Sequence, residues 1–453
     1  MAPTTAATTT AAPATTTTAT TTPKAARSRR ASASVPTTAP TTPPALAAPT
    51  TPPATTKKAA RTKRDTPPVV APPAPVQVLD ATCDRDALKH GLGLVGHAVA
   101  AKSTLPVLSH VLIAADGPAR LRLTATDLQH GITTHIPATV VGDGAITVPA
   151  KLLTDLVATL PNDAVTLMLD DATQTLQLRC GRSEASVKGI TAEDFPTLPT
   201  SATADPALTL PAAVLREAIG QVAFAAATDE NRPALTGVLC DLRDATLRLS
   251  ASDGFRLAIK TVALADAVAP RTLIIPARAL VDLQRLLPAS DAPVTLAVTP
   301  NGGQVVISCG DSEVMSRLID GQFPDLQRVI PQRYTTRAVV DRPALQRAVK
   351  QAAVFAASKI TRLTLDGAAA DGAGRLTIAA TTAEVGANQS TLTVHIAGAD
   401  GRIAFNNTFL QEALQAIPTA ELAIEVQTDR TPGVLRPIGD ESLLVILMPL
   451  LIA

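Results

Sequence analysis

Apolar side chains recur along this chain with a helical period in three places. Leu88, Leu92, Val95 and Val99 fall at i, i+4, i+7 and i+11, one face of an α-helix. Leu215, Ile219, Val222 and Ala226 repeat that spacing 127 residues later, and Leu345, Val349, Ala352 and Ala356 repeat it after a further 130. A second helix is predicted between Pro149 and Pro161, carried by Leu152, Leu153, Leu156 and Leu160, with counterparts between Pro276 and Pro288 and between Asn406 and Pro418. Strict alternation over 119–125 and 175–180 predicts half-buried strands.

A third signature repeats in step with the helices. Leu121-Arg-Leu-Thr-Ala-Thr-Asp127 returns as Leu247-Arg-Leu-Ser-Ala-Ser-Asp253 and as Leu376-Thr-Ile-Ala-Ala-Thr-Thr382, at offsets of 126 and 129. Three independent patterns sharing nearly the same pair of offsets imply one unit present three times. Each copy reads helix, strands, helix, strands. The expected fold class is therefore α+β with antiparallel sheets, in modules spanning 76–203, 204–334 and 335–453. The βαβ alternation of a doubly wound nucleotide-binding fold is missing.

Residues 1–75 break this pattern. They are a low-complexity Thr, Ala and Pro tract that cannot bury enough apolar surface to order itself, and disorder is expected. Nine of their residues are Lys or Arg against the single acid Asp65, which leaves 31 Lys and Arg against 38 Asp and Glu in the modules, a net of −7. The tract reads as a solvated tether, with an anion-binding arm or an organellar leader as alternatives. A duplex-binding role for the modules would have to rest on a local basic surface within an acidic body.

Such a surface is suggested by the helices. Superposing the copies aligns Arg85 with Arg342, Lys89 with Arg216 and His90 with Arg347, on a flank away from the apolar stripe. Lys151 and Arg278 open the second helices, where the dipole disfavours cations. A phosphate-facing surface and ordinary solvated helix faces explain these positions about equally well.

Composition excludes several chemistries. There is no Trp, and Tyr334 is the one Tyr, so the aromatic platforms of a single-strand binder are absent. Cys83, Cys180, Cys240 and Cys309 lie far apart without metal-ligand spacing and read as reduced core residues; no metal site and no cofactor is expected. Gly91-Leu-Gly93-Leu-Val-Gly96 matches a dinucleotide fingerprint in letters only, because no strand precedes it; small residues at a close helix contact is the better reading. Asp127 and Asp253 read as turn residues, since Thr382 takes the third equivalent position. No catalytic residues are identified, and no apolar run is long enough to span a membrane, so a cytoplasmic, non-enzymatic protein is expected.

Over 76–453 the chain resembles the bacterial DNA polymerase III beta subunit, the sliding clamp family. The resemblance is carried by Ser103-Thr-Leu-Pro-Val-Leu108, Val148-Pro-Ala-Lys151 and Glu193-Asp-Phe-Pro196 in the first module. In the second it is carried by Thr228-Asp-Glu-Asn-Arg-Pro-Ala-Leu-Thr-Gly237, Ser250-Ala-Ser-Asp-Gly-Phe-Arg-Leu257 and Gly321-Gln-Phe-Pro-Asp325, and in the third by Met448-Pro449. It implies a head-to-tail homodimer enclosing double-stranded DNA, with helices lining the hole and sheets outside. Lys102, Lys151 and Arg232 would face phosphates. Val354 and Phe355 would meet a surface including Val187 at the dimer interface.

A cleft formed by Ser252, Gly254, Phe255, Arg256, Leu257, Pro324, Arg328, Val329, Met448, Pro449 and Leu450 would take short linear motifs from the polymerase III alpha subunit, the clamp loader and repair proteins. The ending Leu451-Ile452-Ala453 stands where the family commonly closes with Arg-Leu, one rim charge fewer. The alternative is a clamp-like peptide-binding scaffold that does not encircle DNA.

Overall fold

The computed structural model describes residues 79–451 apart from positions 230, 357, 358, 368–372, 383 and 385. The 1–75 tract and the terminal Ile452-Ala453 lie outside the described residues.

Six helices form among the described residues, two per module: α1 (Arg85–Val95) and α2 (Ala150–Thr159), α3 (Ala212–Val222) and α4 (Ala277–Leu286), α5 (Arg342–Phe355) and α6 (Asn407–Ala416). Their starts follow local chemistry. Asp84 caps α1 by accepting from Asp86 N at 2.7 Å, Asp341 caps α5 through Ala344 N at 2.7 Å, and Asn406 caps α6 through Thr408 N at 2.9 Å. The other three begin after Pro149, Pro211 and Pro276 without a side-chain cap. The apolar stripes are buried as the periodicity predicts: Leu88, Leu215 and Leu345 are each at most 4% exposed. The first helix is shorter than its stripe, however. It ends at Val95, and a 3-10 turn over Gly96–Ala98 carries the chain to the half-buried Val99.

All strand pairs are antiparallel, and they join the modules. In the first module, His130–Val141 pairs with Arg120–Thr126 on one side and accepts Ser312–Arg317 of the second module on the other, with Val314 opposite Ile132. The second junction repeats the first: Leu443–Leu447 of the third module joins Arg256–Pro276 of the second, with Val445 opposite Ala258. Two sheets of 13 and 10 strands therefore run across module boundaries. The last strand of each following module closes on the central hairpin of the one before.

The helix pairs α1 with α2, α3 with α4 and α5 with α6 pack together. Gly91 is a close helix–sheet contact, where a Cβ would meet Leu123 at 2.7 Å. Gly93 and Gly96 face open space, so close packing accounts for only one of the three glycines. Cys83, Cys180 and Cys240 are buried free thiols, whereas Cys309 is half-buried. Among the described residues no helix is long and apolar enough to cross a membrane, and no His, Cys, Asp and Glu cluster could hold a metal ion.

Candidate functional site

The hairpin turn after Ser252 organises the apolar cleft. Ser252 Oγ donates to Arg256 O at 2.7 Å and accepts from Gly254 N at 3.1 Å. Asp253 Oδ1 accepts from the N–H groups of Phe255 and Arg256 at 2.8 and 2.9 Å, an Asx turn that needs a left-handed residue between. Gly254 supplies it at φ +91°. The turn leaves Phe255 59% exposed while Arg256 folds back to 9%.

The first module builds the same turn from Thr126, Asp127 and Leu128, the last forced to φ +72°. The expected turn role of Asp127 and Asp253 is what the geometry shows.

Against the second-module turn lies a cavity of about 190 Å³ between the Pro324–Val329 segment and the end of Leu443–Leu447. Its floor is Leu257 and Ile446, at most 2% exposed, and partly buried Leu326 packs against them. Of the residues expected here, Ser252, Gly254, Arg256, Leu257, Pro324, Val329 and Met448 line it.

Phe255, Arg328, Pro449 and Leu450 do not. Phe255 O instead accepts from Met448 N at 2.8 Å, pinning the C-terminal segment beside the turn, and Arg328 leaves the wall to pair with Asp325 at 3.0 Å. Leu235, Leu326, Ile446 and Arg232 line the cavity without having been assigned to it. Arg232 was grouped by motif with the phosphate-facing cations, yet its guanidinium lies over Gly254, 3.3 Å from where a Cβ would stand. Nothing in its local sequence marks that contact, which exists only once the two segments fold together.

Lys89, Lys102, Lys151, Arg216, Arg347 and Lys350 are exposed and make no ion pair among the described residues. Other members of the aligned basic flank are tied down. Arg85 pairs with Asp86 at 3.1 Å, and Arg342 Nε donates to Thr419 O at 2.7 Å. Arg278 reaches Asp127 at 3.5 Å across the first junction, which explains a cation in the first turn of α4.

Family models for the N-terminal, central and C-terminal domains of the DNA polymerase III beta subunit match residues 79–199, 209–325 and 327–451, in chain order. The chain belongs to that family. It is 38% identical over 375 residues to the beta sliding clamp of Synechococcus elongatus, covering 81% of this chain and 98% of the relative. It is 32% identical over 387 residues to the beta sliding clamp of Synechocystis, with the same coverage of 81% and 98%.

The solved DNA polymerase III beta subunit of Thermotoga maritima superposes with a TM-score of 0.74 at 26% identity, over 83% of this chain and 100% of that one. The Bacillus subtilis sliding clamp, at 24% identity, shares the fold with a TM-score of 0.77 over the same shares of 83% and 100%.

In this sliding clamp the junctions between modules are built to one plan with different residues. At the first, His130 sits between Asp127 and Asp282, with Nδ1 at 3.4 Å and Nε2 at 3.5 Å from the carboxylates, and Arg285 holds Asp282 at 2.7 Å. At the second, the position of His130 is Arg256, that of Asp282 is Glu412, and that of His97, which lies 4.0 Å from Asp282 at the first, is Phe224. The Arg256 guanidinium lies 5.5 Å from the Phe224 ring and 4.4 Å from the Phe409 ring.

The clamp's free ends carry the third set of these positions. Val354, the counterpart of His97 and Phe224, is 74% exposed, and Leu152, the counterpart of Ala279 and Phe409, is 54% exposed. The helical pattern counts Leu152 among the apolar residues that carry α2, yet its side chain is exposed, and its alignment with covered positions is what marks it. Phe355 packs partly into the core, and Val187 is 3% exposed, turned inward. Ser183–Lys188 thus presents its backbone edge at the end of the sheet, with the Val187 side chain turned away.

Proposed function

We propose that this protein is a non-catalytic processivity factor that works as a head-to-tail ring dimer around duplex DNA, tethering polymerases and their associated factors, with modules divided at 76–203, 204–334 and 335–453. What supports this reading is that two internal junctions share one plan, and that the equivalent positions at Ser183–Lys188 and around Val354 stay uncovered.

Ser183–Lys188, the counterpart of Ser312–Arg317 and Leu443–Leu447, ends its sheet and, among the described residues, pairs as a strand only with Thr175–Cys180. Among the described residues, the 386–394 stretch of Gly386–Gly398 has a strand partner on one side only, Ala373–Thr382. The two internal junctions template the register across copies, with Ala185 opposite Asn388. Exposed Val354 and Leu152 then cover each other. A heterologous contact of this kind closes a ring when its rotation completes a circle, and three pseudo-equivalent modules per chain favour closure at two chains.

Lys102 and Lys151, with Lys89, Arg216, Arg347 and Lys350, would line the hole. Unpaired, exposed cations give weak, screened, sequence-independent attraction to phosphates, which lets a ring slide while topology retains it. The cleft beside Gly254 would receive short linear motifs of the polymerase III alpha subunit, the clamp loader and repair proteins, with adaptable Leu and Met walls suited to several ligands. Arg232 is better suited to that cleft's rim than to the phosphate-facing set.

The deciding experiment has two parts. Light scattering of the full chain should give twice the 46.5 kDa of one chain. After treatment with a clamp loader, the protein should stay on nicked circular DNA in high salt and run off once the circle is linearised. Equal loss from both, or a monomeric mass, would favour the scaffold reading instead.

A further inference from the structure

Past Met448 the C-terminal segment runs beside Gly401–Asn406, where Leu450 N donates to Ala404 O at 2.8 Å. Leu450 and Leu451 there wall a second cavity, of about 710 Å³, whose other walls carry Arg362, Arg402 and Arg430. The sheet register brings two of these together. Arg362 stands opposite Ala404 and Thr364 opposite Arg402, so alternation puts all four on one face while Leu363 and Ile403 turn into the core. Arg430 comes from the turn between Glu421–Val426 and Gly433–Pro437. All three arginines are exposed and make no ion pair among the described residues, and Asp429 is the one acid in the wall.

Unpaired guanidiniums around one cavity repel each other, and an anionic ligand removes that repulsion. Met448 lines the cleft and Leu450 lines this cavity, two residues and about 7 Å of extended chain apart. We infer that the arginine pocket is a second subsite for the ligands of the cleft, receiving acidic residues that flank the apolar anchor of a partner peptide. The inference rests on the cleft reading above. Duplex DNA is the less suitable occupant because this face lies on the opposite side of the sheet from the core packed by α6.

The test uses the full chain and labelled synthetic peptides that share one apolar anchor of four leucines and carry three Glu, three Gln or no extension, at either end. Binding is read by fluorescence anisotropy at low and high salt. A Glu extension at one end should tighten binding about tenfold over Gln at low salt, the size expected of two or three exposed charge pairs, and the gain should fade at high salt. Combining Arg362→Gln, Arg402→Gln and Arg430→Gln should remove the gain and leave binding of the unextended anchor and the thermal melt unchanged. Equal affinity for Glu and Gln forms at both ends overturns the inference while leaving the cleft intact. Failure of the unextended anchor to bind overturns the cleft reading and the inference with it. Loss of DNA retention in the triple variant, with peptide discrimination unaltered, also overturns it and assigns the arginines to nucleic acid.

Discussion

Arg256 Nη1 donates to Glu412 across the junction of the second and third modules, while Arg256 Nε is held from behind by Asp253 at 3.0 Å. One side chain thereby ties the cleft's turn to the neighbouring module's α6. With Arg256 9% exposed, removing it takes the ion pair from Asp253 Oδ2, on a side chain only 14% exposed, and leaves a gap between two phenylalanine rings. Arg256→Ala should cost about 3 kcal/mol in urea unfolding, against about 1 kcal/mol for Glu412→Gln, whose carboxylate is 40% exposed. The same variant should weaken anchor-peptide binding, because the turn it braces forms the cleft wall.

Val354→Asp places a charge at the centre of the proposed intermolecular contact without touching the core, since the side chain is 74% exposed. The expected result is a monomeric mass by light scattering with an unchanged melting temperature. Leu152→Asp on the opposite end should do the same, and a chain carrying either change should still bind the anchor peptide.

Acid should weaken the first module's turn through Asp127. Burial pushes its carboxyl up, but hydrogen bonds from the His130 ring, His130 N and Gln129 N outweigh that and leave it lowered to about 2 from an ordinary 3.8. A depressed carboxylate contributes stability that is fully present above the unfolded value and is lost as pH falls through the folded one. The stability gap between the protein and Asp127→Asn should therefore be constant at neutral pH and shrink between about pH 4 and pH 2, measured by urea midpoints across that range. A gap that widens on acidification would contradict the assignment.

The paired turns permit a swap experiment. Leu128 adopts φ +72° where its counterpart Gly254 has φ +91°. Leu128→Gly should relieve strain and raise stability by up to about 1 kcal/mol. Gly254→Ala should lower it by about 1 kcal/mol and weaken anchor-peptide binding, because the new methyl meets Arg232 at 3.3 Å in the cleft. Urea unfolding and anisotropy titration check the two effects separately.

Much of this protein was legible without coordinates because it depends on local periodicity repeated three times. The stripes through Leu88, Leu215 and Leu345, the alternation in Thr175–Cys180 and the repeated turn around Asp127 and Asp253 each report which face of an element is buried, and burial is what an apolar pattern encodes. Family motifs then placed seven of the expected cleft residues around one cavity. Tertiary structure decided the rest. That Arg232 leans into the cleft, that Val187 turns inward, that Arg278 answers Asp127 and that Arg362 and Arg402 share a face with Leu450 beside them all depend on which segments the junctions bring together. Charge and partner choice at those places follow from strand register between distant segments, and no single stretch of sequence carries that register.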